Sequence, residues 1–214
     1  MTTLIFVRHG QSQSNLEKRF SGQHNPSLTE LGHRQAEATA DYLQGLGIEK
    51  IYSSDLARAY ETAEHTAARL GLEITPTAKF REINAGNWEG KLYTTLMEEF
   101  PEGYHRWLTD LGRAHPDGGE SVLELSARVC AETERIRTQD RGKRVAIFTH
   151  ATPVRMLACG WFGIPAEDAI KVPFCTNASV SIVEYEDDGS FRLVQYGYDE
   201  HQGDLVTQFP TGLV

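Results

Sequence analysis

With 214 residues, 40% hydrophobic and 24% charged content and a net charge of -9, the chain has the composition of a soluble globular protein large enough for a full core. The acidic balance argues against nucleic acid or an anionic membrane as partner, since both are met by excess Lys and Arg, and leaves room only for a local basic pocket. Met1-Thr2-Thr3-Leu4 has no basic n-region, the uncharged stretch Met156 to Ala166 falls short of the ~18 apolar residues of a membrane span, and three cysteines form no C-x-x-C pair; no signal peptide or span is expected, and a reducing cytoplasm is.

In chain order, Leu4-Ile5-Phe6-Val7 reads as a buried strand broken at once by Arg8-His9-Gly10. Gln11 to Pro26 is polar and Gly-containing, a loop expected to line a crevice. Ser27-Leu28-Thr29-Glu30 matches a capping box, after which Leu31, Ala38, Tyr42 and Leu46 repeat at helical spacing up to Gly47. Ile48 to Ser53 is a second strand. Ser53-Ser54-Asp55 then forms a capping cluster for a helix with Leu56, Ala59, Ala63, Ala67 and Leu70 on one stripe and Gly71 as its stop. Arg58 falls in the first turn of that helix, where the dipole opposes a cation, so anion binding is a better reason for its presence than helix stability.

Leu72 to Pro76 reads as a third strand, and Phe80 to Asn84 as an extended piece giving way to the Gly-rich Gly86-Asn87-Trp88-Glu89-Gly90. Glu82 at that transition is the carboxylate of interest, with Glu89 as its rival. From Lys91 to Asp117 the pattern weakens to two short helices, around Leu92 to Phe100 and around Trp107 and Leu111, separated by Pro101 and Gly103. Val122, Leu125, Val129 and Ile136 mark a long amphipathic helix, and Arg144 to Thr149 a strand ending on His150. A helix follows with Pro153 in its first turn, whose free N–H groups suit an anion. Ser179 to Glu186 and Phe191 to Tyr198 flank Asp187-Asp188-Gly189 as an edge hairpin; beyond Tyr198 no pattern is visible. Cys130 and Cys159, in apolar surroundings, read as small core residues.

Two short strands that each end on a histidine place His9 and His150 at one crevice, if both belong to a mostly parallel sheet. A histidine pair suits phosphate or metal. Arg8 beside His9 disfavours a divalent cation and favours a phosphoryl group, and neither segment carries the carboxylates that complete a metal site, so no metal and no cofactor is expected.

Arg8-His9-Gly10, Asn15, the helix opening Ser54-Asp55-Leu56-Ala57-Arg58-Ala59, Glu82 and His150, in this order, resemble the histidine phosphatase superfamily, also called phosphoglycerate mutase-like. The resemblance runs from about Leu4 to Arg155 and into the final hairpin. It implies an α/β fold, a three-layer α/β/α sandwich with a mostly parallel central sheet, to which the hairpin adds an antiparallel edge. It implies a single domain over residues 1–214 with a covering insertion at about 84–117. It further implies that His9 attacks phosphorus and is transiently phosphorylated, that Arg8, Arg58 and His150 hold the phosphoryl oxygens, and that Glu82 protonates the leaving oxygen and then activates water. Asn15 matches a phosphate-contacting position, and Gln23, Ala151 and Tyr93 are expected on the substrate. The expected substrate is a small phosphomonoester.

Two departures stand out. Ala151-Thr152-Pro153 follows the second histidine where many relatives carry a glycine pair, and Gln23-His24 follows Gly22 where mutases often carry Trp. The segment from Ile83 to Asp117 holds Lys91, Arg106 and Arg113 against Glu89, Glu98, Glu99, Glu102, Asp110 and Asp117, a net acidic cover that suits hydrolysis of monoesters better than retention of a bisphosphate. A cofactor-dependent mutase or sugar bisphosphatase, and a catalytically silent phospho-ligand binder, are the alternatives. Trp88, Tyr93, Phe100, Tyr104 and Trp107 are open to two roles, contact with a ring-bearing leaving group or packing of the cover.

Overall fold

The computed structural model describes residues 1–207. Its sheet is organised around β1 (Thr2–Arg8), buried along its whole length. Such continuous burial requires neighbours on both edges and helices on both faces. β4 (Arg144–Thr149) pairs parallel on one edge and β5 (Val180–Tyr185) antiparallel on the other. With β2 (Lys50–Ser53), β3 (Ile74–Pro76) and β6 (Phe191–Tyr198) the order is β3-β2-β4-β1-β5-β6, four parallel strands carrying an antiparallel hairpin at one edge.

Strand alternation divides the core in two. Ile5 and Val7 face one layer with Leu43, Ala63 and Phe148, while Leu4 and Phe6 face the other with Val129, Ile147 and Ala158. The first layer is built by α2 (Glu30–Gln44) and α3 (Ala57–Leu70), and the second by α6 (Val122–Gln139) and α7 (Ala151–Phe162). The expected α/β/α sandwich is thus the observed architecture. Between β3 and α6, α4 (Tyr93–Glu99) and α5 (Pro101–Thr109) pack on the α6/α7 side around fully buried Trp88, Leu96 and Tyr104.

Local details differ from expectation for identifiable reasons. The loop 11–26 contains one helical turn, α1 (Gln13–Leu16), closed by a capping box between Ser12 and Asn15. α2 is capped by Thr29 through Gly32 N, not by Ser27, because Leu28 is tied in extended form opposite Ser12. Ser54 does not cap α3, whose N-cap is Leu56 without a side-chain bond. Pro101 opens α5 at its first position and Gly103 lies inside that helix, where its absent side chain lets Trp88 approach. Cys130 is exposed, since Val129 takes the core-facing position of α6 and the next residue turns ~100° away; Cys159 and Cys175 are buried. The tail beyond Tyr198, unpatterned in sequence, forms a 3-10 segment over Glu200–Leu205 that docks on α2: Gln35 Nε2 donates to Leu205 O at 2.7 Å and Thr207 Oγ1 at 2.9 Å. The rest of that tail, residues 208–214, lies outside the described residues.

Candidate active site

The parallel register of β1 and β4 decides the geometry of the site. Arg8 pairs with Thr149, and His9 N donates to Thr149 O at 3.0 Å, so the two strands release His9 and His150 side by side at their carboxyl ends. The ring centroids lie 5.1 Å apart. Both rings are buried.

The turn after β1 approaches other backbone too closely for any other residue than glycine: a Cβ on Gly10 would sit 2.5 Å from Gly32 O. That contact lets the helix pair hold the turn, Gly10 N donating to Thr62 Oγ1 at 3.0 Å and Gln11 N to Gln35 Oε1 at 2.8 Å. His9 Nδ1 lies 2.6 Å from Gly10 O. A carbonyl only accepts, so Nδ1 carries the proton and Nε2 keeps its lone pair. Arg58 Nε donates to that Nε2 at 3.2 Å.

Arg58 is fully buried, unusual for a guanidinium, and its other nitrogens donate to His24 O at 3.0 Å and Gly22 O at 2.8 Å. The loop they grip is held from the far side by Glu89, whose carboxylate accepts from Gln23 N and Ala85 N, both at 2.8 Å, and from His24 N. Glu89, the rival carboxylate, is thus occupied by backbone. Arg8 donates to Cys175 O and lies 4.6 Å over the Phe174 ring. Burial pushes both guanidinium groups down to about 10, and the Glu82 charge works against that shift, so both stay cationic at neutral pH. Burial also lowers the His9 pKa well below the ordinary histidine range, reinforced by Arg58 and then Arg8, and lowers that of His150, reinforced by Arg58 and His9. Both imidazoles are neutral near pH 7.

Glu82 is positioned by backbone rather than by a partner cation. Ile83 N donates to Oε1 at 2.8 Å and Thr152 N to Oε2 at 3.2 Å, so the anion expected at the start of α7 is met by this carboxylate. Arg128 on α6 grips the preceding chain through the carbonyls of Lys79, Arg81 and Glu82 at 2.8–2.9 Å. Asn15 Oδ1 accepts from Ser12 N and Oγ and, at 3.2 Å, from Asn177 Nδ2, which turns its oxygen to the loop and its amide N–H groups to the cleft. Asn177 Nδ2 also reaches His9 O at 3.0 Å and Gly10 O at 3.3 Å.

Arg8, His9, Asn15, Arg58, Glu82, Tyr93 and Ala151 line one cleft of about 720 Å³, with Phe20, Trp107, Leu111, Arg155 and Phe174 among its other walls. Gln23 stands apart from it: its amide bonds to Glu82 O at 3.3 Å and to Arg81 at 3.3 Å. Of the aromatic residues in the 84–117 segment, Tyr93 and Trp107 reach the cleft, Trp88 and Tyr104 belong to the core, and Phe100 packs against Trp88. Sequence reasoning missed Asn177, Arg155 and Phe174. Arg155 had a visible signal, a lone charge in the otherwise apolar run of α7, whereas Asn177 and Phe174 lie in an unpatterned connection.

With this geometry, residues 4–199 match the Histidine phosphatase superfamily (branch 1). The chain belongs to the histidine phosphatase superfamily. Within it, the chain is 33% identical over 187 residues to "Phosphoserine phosphatase 1" of Hydrogenobacter thermophilus, covering 87% of this chain and 88% of that protein. It is 36% identical over 209 residues to a "Probable phosphoglycerate mutase GpmB" of Shigella boydii, covering 96% and 94%. Against the "Bifunctional protein Rv2228c" of Mycobacterium tuberculosis, 38% identical over 92% of this chain, it spans about half the relative's length, 55%. Among solved histidine phosphatase folds, "Bacillus stearothermophilus YhfR" superposes with a TM-score of 0.90 at 28% identity, over 94% of this chain and all of that one (100%).

Proposed function

We propose that the chain is a metal-independent phosphomonoesterase working through a phosphohistidine at His9. The observation that carries this reading is the pair of contacts on His9: Nδ1 donates to Gly10 O, so the Nε2 lone pair is directed to Arg58 and the cleft. An entering phosphoryl group takes over the Arg58 donor and exposes that lone pair to phosphorus.

In the first step Nε2 forms the N–P bond, the P–O bond to the alcohol breaks, and Glu82 delivers a proton to the leaving oxygen. In the second, water attacks phosphorus, the N–P bond breaks and Glu82 takes the water's proton. Arg8, Arg58 and the Asn15 amide form a preorganised cradle for the charge on the equatorial oxygens, which is the main requirement of phosphoryl transfer. The positive charge comes from guanidinium groups; among the described residues no three His, Cys, Asp or Glu side chains are grouped to hold an ion.

Hydrolysis is favoured over mutase chemistry by the rest of the cleft lining. Phe20, Tyr93, Trp107, Leu111 and Phe174 offer rings and aliphatic surface, and among the described lining residues Arg155, which donates to Val172 O at 3.0 Å and Ile170 O at 3.2 Å, is the single cation besides Arg8 and Arg58. A second phosphate finds no counterpart of the Arg8/Arg58 pair. The segment 84–117, read as a covering insertion, contributes Tyr93, Trp107 and Leu111 but no cation to this lining, with Lys91 paired to Glu99 at 2.8 Å. The substrates expected are therefore monoesters with an apolar or ring-bearing leaving group.

Quenching a turnover of 32P-labelled aryl phosphate in alkali should retain label on His9, since a phosphoramidate resists base and hydrolyses in acid. Label on Ser, Asp or Glu would refute the mechanism. Hydrolase and phosphoglycerate mutase rates measured on the same preparation separate the two branches, and a mutase rate above the hydrolase rate overturns the assignment.

A further inference from the structure

His150 has one satisfied and one unsatisfied nitrogen. Nε2 lies 2.8 Å from Ser54 Oγ, while Nδ1 is buried and has no hydrogen-bond partner. Ser54 is itself fully buried at the end of β2, and its oxygen also accepts from Leu56 N at 3.3 Å. With one lone pair engaged by that N–H, the hydroxyl has a single proton to place, and among the described residues its acceptor is His150 Nε2. The opposite assignment, Nε2–H donating to Oγ, leaves the hydroxyl proton with no acceptor and presents the Nδ1 lone pair to an incoming anion. Both consequences are unfavourable, because unmet buried polar groups cost about 1–3 kcal/mol each.

We infer that Ser54 is a positioning residue that fixes His150 in the Nδ1–H tautomer, so that a neutral imidazole presents a donor to the phosphoryl group. The residue sits in Ser53-Ser54-Asp55, which reads in sequence as a helix cap; its hydroxyl accepts only from Leu56 N, ahead of α3, which leaves the hydroxyl proton for this task. The logic is that of a neutral histidine acting as electrophile, in which the bond made by one nitrogen decides what the other can do. His150 needs the device because burial and Arg58 keep it uncharged, so it cannot supply two N–H groups and its single proton must be on the correct nitrogen. His150 is fully buried and is not itself among the lining residues, but its ring lies 5.1 Å from that of His9, so the partner proposed for Nδ1 is an oxygen of a phosphoryl group held at His9. This role rests on the phosphatase reading above, but its first test does not.

Nitrogen-15 NMR of the wild-type protein, with labelled histidine, reads the tautomer directly. The His150 signals, assigned by loss in His150→Ala, should show a protonated Nδ1 and an unprotonated Nε2 near pH 7, with the Nδ1 proton moving downfield on titration with inorganic phosphate. A protonated Nε2 in the wild type overturns the inference whether or not the protein is a phosphatase. Ser54→Ala should populate the other tautomer, weaken inhibition by inorganic phosphate about 10-fold and lower kcat in parallel, and Ser54→Thr, which keeps the hydroxyl, should restore all three. Unchanged His150 signals in Ser54→Ala would equally overturn it. Loss of activity in Ser54→Ala with an unchanged tautomer would mean that Ser54 acts by packing alone. Failure of the label to appear on His9, with the tautomer as expected, would reject the phosphohistidine reading and leave the Ser54–His150 relation standing.

Discussion

The Nε–H of Arg58 meets Nε2 of His9 at 3.2 Å, so the cation proposed to cradle phosphate also covers the lone pair proposed to attack it. In the proposed mechanism this contact shields the attacking atom until the substrate's own oxygen takes the Arg58 donor. Arg58→Gln removes both functions. We expect kcat to fall by about 10²–10³-fold, the magnitude typical of losing one preorganised donor to a transition-state oxyanion. Arg58→Lys should recover little, because a point charge cannot bond His9, Gly22 and His24 together. Steady-state rates on one aryl phosphate check both variants, and a Lys variant within threefold of wild type would contradict the role.

The same pair governs the pH profile. Burial first, then the charges of Arg58 and Arg8, keep the His9 pKa well below its ordinary value of about 6.5. The proposed nucleophile is thus already deprotonated at pH 6.5, and kcat/KM, which reports the free enzyme, should show no histidine-like decline between pH 7.5 and pH 6. In Arg58→Gln one lowering influence is gone, so the acid limb should move up in pH. An acid limb centred at 6.5 in the wild type would refute the expectation.

Stability follows from the same shifts. For His9 and His150 the folded pKa lies below the unfolded value, so the unfolded chain binds more protons as pH falls. The stabilising contribution of the neutral rings is fully present above about pH 6.5 and is lost as pH falls from there towards the folded values. The urea midpoint should be lower at pH 5.5 than at pH 7.5, and that difference should shrink in His150→Phe. An equal difference in the variant would place the pH sensitivity elsewhere.

The two carboxylates that compete in sequence should separate experimentally. Glu82→Gln should depress turnover of alkyl phosphates far more than of aryl phosphates, whose leaving groups need little protonation; it also sets an amide N–H against the N–H of Ile83 or Thr152, so some loss of thermal midpoint is expected here too and the leaving-group selectivity is the discriminating readout. Glu89→Gln places an amide N–H against the N–H groups of Gln23, His24 and Ala85, which should cost about 1–3 kcal/mol of stability and slow all substrates alike through the loop that Arg58 grips. Matched rates and melting curves for both variants decide it; leaving-group selectivity appearing in the Glu89 variant would reverse the assignment.

The aromatic lining of the cleft gives a last expectation. Trp107→Ala should raise KM for a naphthyl phosphate about 10-fold while leaving inhibition by inorganic phosphate within twofold, since Trp107 lines the cleft but does not hold the Arg8/Arg58 cradle. Part of any stability loss will come from its edge contacts with Phe20 and Trp88, at 4.9 and 6.3 Å between centroids. A parallel loss of phosphate binding would show that Trp107 acts on the whole site.

What the sequence determined by itself is the set of elements and the chemistry at their ends. Period-2 and period-3.6 patterns located the strands and helices of the sheet and its two layers, and residues as distinctive as Arg8-His9-Gly10, Arg58 and His150 stood at strand or helix ends, with Glu82 in the irregular segment that follows Phe80. Such signals are local, because they arise from backbone geometry and burial within one element. The tertiary structure alone decided what each polar group is turned towards. Glu82 and Glu89 have the same side chain and sit seven residues apart, yet one faces the cleft from the start of α7 and the other accepts from the loop that Arg58 grips. Ser54 looks like a cap and instead bonds His150, 96 positions away; Asn177 is 168 positions from the carbonyl of His9 that it holds. A hydrogen bond depends on a few tenths of an ångström between groups brought together by the register of β1 on β4, and no pattern within one stretch of chain carries that information.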